Sequence, residues 1–165
     1  MAREINYLIG DLDTYFRVDE MSVLFYYAKE IGFNLTKKLY FLLNDETIYK
    51  IHNNISIGNI GAFDDAPAHF NPTDMQAVIE FITNQLIPAM QNETVDMDGK
   101  YGGSVSNLIN QVNSYNSGDL GFGLYIAHDW VPYEMSYYIN MANEMKELLQ
   151  ESINLNTPMM VSYND

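Results

Sequence analysis

The sequence has no cysteine, which excludes disulfide bonds, thiolate metal ligands and cysteine nucleophiles together. Basic residues are scarce as well: eight Lys and Arg stand against 22 Asp and Glu, for a formal net charge of −14. Such a surface repels the phosphates of nucleic acids and anionic membranes, and it attracts basic protein surfaces. No stretch approaches the roughly 20 apolar residues of a membrane-spanning helix, and MAREINYLIG lacks the apolar region of a signal peptide. We therefore expect a soluble cytoplasmic protein, in the host cytoplasm if it is viral, with neither nucleic acid nor membrane as a direct partner.

The negative charge is unevenly distributed along the chain. Residues 1–50 hold six bases and eight acids, for a net of −2, whereas residues 51–165 hold two bases and fourteen acids, for a net of −12. Acidity also raises solubility without any partner. Both interpretations, a binding surface and a solubilising one, stay open at the level of sequence.

The composition and the periodicity predict a single α+β domain over residues 1–165. A chain of this length suits one domain, and 47% hydrophobic residues supply a core. Alternation predicts strands over 4–10 and 120–126, with a third, edge strand over 158–163. Apolar residues at helical spacing predict helices over about 20–32, 71–88, 104–115 and 132–153. We expect a small, mostly antiparallel sheet packed against about four helices, the longest of them near the C-terminus.

Local signals set several of these boundaries. Asn71 is a good helix cap, Pro72 suits the first helical position, and Pro88 is expected to end that helix. Asp19 is a candidate cap for the first helix. The run 37–43 is ambiguous between strand and helix, and residues 55–60 look strand-like.

Two carboxylates directly after the first strand, Asp11 and Asp13, form the one candidate catalytic pair. Carboxylates at a strand end can bind Mg²⁺ and orient a phosphoryl group, and Asp64 and Asp65 are a candidate second pair. The segment 11–20 resembles the first carboxylate motif of Y-family DNA polymerases and the opening of haloacid-dehalogenase-type phosphatases, although Thr14 stands one place early for the latter. That resemblance implies a small Mg²⁺-dependent phosphohydrolase, whereas the alternative is that Asp11 and Asp13 are turn residues.

Other motifs give no catalytic or cofactor site. Asp96, Asp98 and Gly99 resemble part of a calcium loop, but Val105 stands where the bidentate glutamate is needed. His52, His69 and His128 have no partner at metal-helix spacing, and phosphate-binding glycine motifs are absent. We therefore expect no cofactor, no resident metal and, on balance, no enzyme.

The leading hypothesis is a non-catalytic acidic module that binds a basic protein surface, as an inhibitor or antagonist of that partner. One form of it is a nucleic-acid mimic that occupies a nuclease or defence complex. Tyr and Trp are common interface anchors, and Glu144, Glu147 and Glu151 share one helical stripe. The predicted contact residues are Asp96, Asp98, Asp119, Asp129, Trp130, Tyr133, Glu134, Tyr137, Glu144, Glu147 and Glu151.

A structural or assembly subunit, for example of a virus or phage particle, is the alternative. The 13 tyrosines and 10 methionines suit self-association through large, adaptable side chains. Under this hypothesis the partner is a second copy, and the protein is a homo-oligomer.

Overall fold

A computed structural model describes residues 3–58, 65–115 and 123–164, and it confirms the α+β class. Four strands form one antiparallel sheet in the order β2-β1-β4-β3. The strands are β1 (Glu4–Ile9), β2 (Leu12–Arg17), β3 (Asp65–Pro67) and β4 (Met160–Asn164). The helices are α1 (Val18–Ile31), α2 (Phe33–Leu42), α3 (Glu46–His52), α4 (Pro72–Phe81), α5 (Ile87–Gln91), α6 (Met97–Lys100), α7 (Val105–Ser114) and α8 (Met135–Leu155).

β1 and β2 form a hairpin that the sequence did not predict. Gly10 has φ 56° and Asp11 follows it with a negative φ, which is the arrangement of a type II′ turn with glycine first. The chain returns directly as β2, so Asp11 is a turn residue, as the alternative to the catalytic pair has it, whereas Asp13 lies within a strand. The expected edge strand at the C-terminus also needs correction, because β4 lies inside the sheet between β1 and β3.

The core lies on one side of the sheet. Ile5, Tyr7 and Ile9 of β1 are buried there, together with their neighbour Phe16 of β2. On the opposite face Leu8 and Met160, which are cross-strand partners, are both exposed. The alternation follows from the pleat, which sends successive side chains to opposite faces.

α8 is the longest helix, as predicted, and it packs against α4, α5 and β1. Met135, Tyr138, Ala142, Met145 and Leu149 are buried at helical spacing. The helix begins at Met135, later than the predicted start at 132, and residues 130–134 before it belong to no helix or strand. Within the described ranges, no helix combines the length and apolar character needed to cross a bilayer.

The helix that begins at Pro72 does not end at Pro88. The Asn71 side chain accepts a hydrogen bond from the amide of Asp74 at 3.0 Å, so the predicted cap is confirmed. A π-helical turn, Ile82–Leu86, then precedes α5, and the amide of Ile87 bonds to the carbonyl of Ile82. Proline lacks an amide hydrogen and collides with a carbonyl one α-turn earlier. The wider turn relieves both problems, and the chain continues helical to Gln91.

The predicted strand over 120–126 falls partly outside the described residues, and its described part, 123–126, is not a strand. Leu124 and Ile126 are buried and Tyr125 is exposed, so the alternation was correct. The backbone bonds to side chains instead of to another strand. The likeness of residues 55–60 to a strand was also wrong over 55–58, and residues 59–60 lie outside the described ranges. The ambiguous run 37–43 is helical: it belongs to α2 up to Leu42, and Leu43 is the cap residue.

Candidate functional site

A groove runs beside the outer edge of β2 and has a volume of about 640 Å³. One wall is β2 itself, and the other is the N-terminal half of α8 with Trp130 and Pro132 of the segment that precedes it. We name this site the β2 groove. It is lined by Asp13, Thr14, Tyr15, Phe16, Arg17, Glu20, Trp130, Pro132, Tyr137, Asn140, Met141 and Glu144.

α8 lies along the whole length of β2. At one end Tyr137 donates a hydrogen bond from its hydroxyl to Oε2 of Glu20, 2.5 Å away, just beyond the end of β2. At the other end a β-carbon on Gly10 would stand 3.1 Å from Oε1 of Glu151 and 3.0 Å from Leu155. The stripe of α8 that carries Glu144 and Glu151 therefore follows the strand from Arg17 to the hairpin turn.

The groove is acidic, and part of its charge is held in a desolvated position. Glu20 is only 6% exposed. Burial raises the pKa of its carboxyl, while the Tyr137 hydrogen bond and nearby Arg17 oppose that rise. Burial and the neighbouring charge of Glu147 also raise the pKa of Glu144. A raised carboxyl pKa means that the surroundings do not fully stabilise the ionised form of the side chain. A cation entering the groove would stabilise the ionised form of both carboxylates.

Three aromatic rings stand exposed around the groove. Tyr15 is 58% exposed, Trp130 57% and Tyr137 38%. Tyr133 is 37% exposed, so neither it nor Trp130 is buried in the core beneath α8. Exposed Tyr and Trp beside carboxylates are the residue types that anchor protein interfaces.

Trp130 is positioned by a network that starts from Asp19. The buried Asp19 carboxylate accepts hydrogen bonds from the amides of Ala127 and His128, at 3.1 and 3.2 Å, and lies 2.8 Å from Nδ1 of His128. The prediction that Asp19 caps α1 was wrong, since Arg17 occupies the cap position and Asp19 lies in the first turn. Asp19 instead fixes the segment that carries Trp130 to the start of α1.

Two further side chains fix this segment. Asn113 of α7 bonds both backbone groups of Ile126: its Oδ1 accepts from the amide at 2.7 Å, and its Nδ2 donates to the carbonyl at 2.9 Å. The hydroxyl oxygen of Ser22 accepts from the amide of Tyr125 at 3.2 Å, and its single hydrogen lies within reach of two carbonyls, that of Val18 at 2.9 Å and that of Tyr125 at 3.3 Å. We name residues 123–129 the strap, because side chains from α1 and α7 hold its backbone in place of a strand ladder.

The predicted contact residues divide between the groove and other places. Trp130, Tyr137 and Glu144 line the groove, and Glu147 and Glu151 continue its helical wall. Asp129 borders a smaller recess beside it that shares Arg17, Glu20 and Trp130. The remaining candidates, which do not line the groove, are Asp96, Asp98, Tyr133 and Glu134, while Asp119 lies outside the described residues.

Asp96 and Asp98 have local structural contacts. Oδ1 of Asp96 accepts a hydrogen bond from the amide of Met135 at 2.9 Å, which satisfies a free donor at the start of α8. Oδ1 of Asp98 accepts from the amide of Gly99 at 2.8 Å. Glu134 occupies the cap position of α8 without a capping side-chain bond.

The residues of the phosphohydrolase hypothesis are not gathered in one place. Asp11 lies in the hairpin turn and Asp13 in β2, at one edge of the sheet. Asp65 lies in β3, at the opposite edge, with β1 and β4 between. At about 4.8 Å per strand, that separation is roughly 14 Å. Asp64 lies outside the described residues, and no cluster of three potential metal ligands occurs among those described.

The histidines are placed separately. His69 is buried, its Nδ1 lies 2.7 Å from Oε2 of Glu46, and its ring stacks on Tyr49 with 3.6 Å between centroids. Its Nε2 has no hydrogen-bond partner among the described residues. His128 belongs to the strap, and His52 contacts the ring of Phe41.

Sequence reasoning missed the β2 wall as part of a binding surface. Tyr15, Arg17 and Glu20 were not among the predicted contacts, and Asp13 was considered only for catalysis. The available signal was the two-residue turn Gly10-Asp11 followed by alternating side chains, which is typical of a hairpin.

Comparison with protein-family models found no match, and neither did comparison with curated proteins or with solved structures.

Proposed function

We propose that this protein is a non-catalytic binding module whose β2 groove takes a basic segment of a protein partner, and that it acts as an inhibitor or antagonist of that partner. One observation carries the proposal: acidic side chains from distant parts of the sequence, Asp13, Glu20 and Glu144, meet in one open groove. The net charge of −14 gives the field that would draw a basic partner towards it.

The aromatic rim supports a protein partner in particular. Trp130, Tyr15 and Tyr137 offer apolar surface and stacking faces beside the carboxylates, which suits lysine and arginine side chains. In the nucleic-acid-mimic form of the proposal, Glu144, Glu147 and Glu151 stand in for phosphates along a nuclease surface.

Selection of peptides tests the proposal without knowledge of the partner. Random peptides displayed on phage are selected on the immobilised protein at low salt, and we expect the retained sequences to be enriched in lysine and arginine. Glu144→Lys should weaken their binding about tenfold, because it replaces an attraction within the groove by a repulsion.

Glu80→Lys is the matched control, because Glu80 is an exposed acid on α4 that does not line the groove. Both variants change the net charge by the same amount. Equal losses in the two would show that only the overall field matters. Retained peptides without basic enrichment would contradict the proposal.

A second candidate function, self-association as an assembly subunit, is favoured by the outer face of the sheet. Leu8 and Met160 face each other there, and both are exposed, as is Tyr15 of β2, which lies two residues along from Asp13, the β2 partner of Leu8. Light scattering after size exclusion, at low and high salt, tests it. A ring or open polymer would support an assembly subunit, and a monomer at both salts would exclude this candidate.

A further inference from the structure

The outer edge of β2 carries backbone groups that have no partner in the sheet. β2 ends the strand order, and the amide of Val18 donates to the carbonyl of Arg3 at 2.9 Å. The backbone groups of alternate residues in an antiparallel strand bond to the same neighbour. Because the Val18 amide bonds to Arg3, directly before β1, the amides and carbonyls of the even-numbered residues of β2 also point towards β1. The amides and carbonyls of Asp13 and Tyr15 therefore point away from the sheet, and none of them has a hydrogen bond within the described part of the chain.

This edge opens into the β2 groove. Five consecutive residues, 13–17, line the cavity, so the backbone itself forms the wall. The facing wall carries Tyr137, Asn140, Met141 and Glu144, which share one stripe of α8. Natural sheets shield such edges with lysine, proline or a covering element. β2 has neither lysine nor proline, and although α8 lies beside it across the groove, no described strand pairs with its outer edge.

The charge of the groove selects the occupant. A strand laid along β2 would present alternate side chains to Glu20 and Glu144 and the others to the outer face beside Asp13. Basic residues suit these positions. A second copy of this chain would bring its own Asp13, Glu20 and Glu144 against the same carboxylates, and each copy carries −14.

We infer that the partner docks as an added β-strand: an extended, lysine- or arginine-rich segment that pairs with the backbone of Asp13 and Tyr15. This inference rests on the proposed function and specifies how the groove is used. Main-chain hydrogen bonds supply affinity in such complexes, and alternate side chains supply specificity.

The first test uses a synthetic peptide of alternating lysine and β-branched residues, acetyl-Lys-Val-Lys-Thr-Lys-Val-Lys-Thr-Lys-amide, with a fluorescent label. Two further versions carry methyl groups on backbone nitrogens. The first version is methylated at the backbone nitrogen of every lysine, and the second at the backbone nitrogen of every valine and threonine. An added strand turns only one of these sets of amides towards β2. We expect one methylated version to lose affinity on the order of thirtyfold, as two lost hydrogen bonds imply, and the other to lose little.

The second test changes the protein. Tyr15→Pro removes an outward amide hydrogen without touching the ladder to β1, and Tyr15→Ala removes the same ring but keeps the amide. We expect the proline variant to bind the peptide at least about tenfold more weakly than the alanine variant. Circular dichroism establishes that both are folded. If the proline variant does not fold, the methylated peptides on the unaltered protein decide the question alone.

The outcomes separate this inference from the proposed function. Equal binding of both methylated peptides, still weakened by Glu144→Lys, would overturn strand addition and leave the acidic binding module standing. Absence of binding by the peptide, together with no basic enrichment on phage, would overturn both. A dimer that Tyr15→Pro dissociates would make a second copy the occupant and would also overturn the inference.

Discussion

Replacement of Asp19 by asparagine should destabilise the protein strongly, because this buried carboxylate makes three contacts with the strap. It accepts from two backbone amides, of Ala127 and His128, and approaches Nδ1 of His128 at 2.8 Å. Asparagine keeps one oxygen and turns an NH₂ group towards donors. One or two bonds to a charged acceptor are then lost, at about 1.5–3 kcal/mol each. We expect the free energy of unfolding to fall by about 2–4 kcal/mol.

Urea denaturation measures this change without adding salt. The transition is followed by circular dichroism and by the fluorescence of Trp130, the single tryptophan, which comes directly after the strap. Asp129→Asn is the control, because Asp129 is exposed, and its free energy should stay within about 0.5 kcal/mol of the unaltered protein. A loss below about 0.5 kcal/mol for Asp19→Asn would refute the reasoning that this carboxylate holds the strap.

Two smaller predictions follow from the structure. The raised pKa of Glu20 means that its charged form costs stability, a cost that is absent below about pH 4.5 and complete above the folded-state pKa. Glu20→Gln should therefore gain stability relative to the unaltered protein as pH rises from 4 to 7 in urea titrations, and a constant difference would contradict this. Asn71→Ala should cost about 1 kcal/mol in thermal or urea unfolding, because the cap to Asp74 is lost, whereas Asn71→Asp should cost little.

The elements that the sequence predicted correctly have local causes. The side chains of Ser104 and Asn71 each accept a hydrogen bond from the helix amide three residues later. The signal for the start of α7, and likewise that for the start of α4, therefore lies within a few residues of sequence. The buried residues of α8 recur at helical spacing from Met135 to Ser152, so the sequence pattern there clearly indicates a helix and not a strand. Such signals do not depend on what the rest of the chain does.

The failures have non-local causes. β2 was not predicted, because its acidic residues were considered only as a ligand motif or as turn residues, whereas its strand pairing depends on the turn at Gly10. Pro88 stays helical only because a π turn precedes it. The strap has the alternation of a strand, but Asp19 and Asn113 bond its backbone in place of a neighbouring strand. The groove could not be predicted as a whole, since no local signal indicates that α8 lies along β2.

The way in which the strap is held also bears on the order of folding. A strand ladder can extend residue by residue from a hairpin, whereas the strap is bonded to side chains on three separate helices. These are Asp19 and Ser22 of α1, Asn113 of α7, and Tyr40 of α2, whose hydroxyl bonds to the backbone of Gly123. We expect those side chains to converge only after the helices have formed and packed. We therefore expect the strap to order after the folding transition state, so that weakening it accelerates unfolding more than it slows folding. Trp130 follows the strap directly, so the part of the β2 groove that Trp130 lines would be completed only after that transition state.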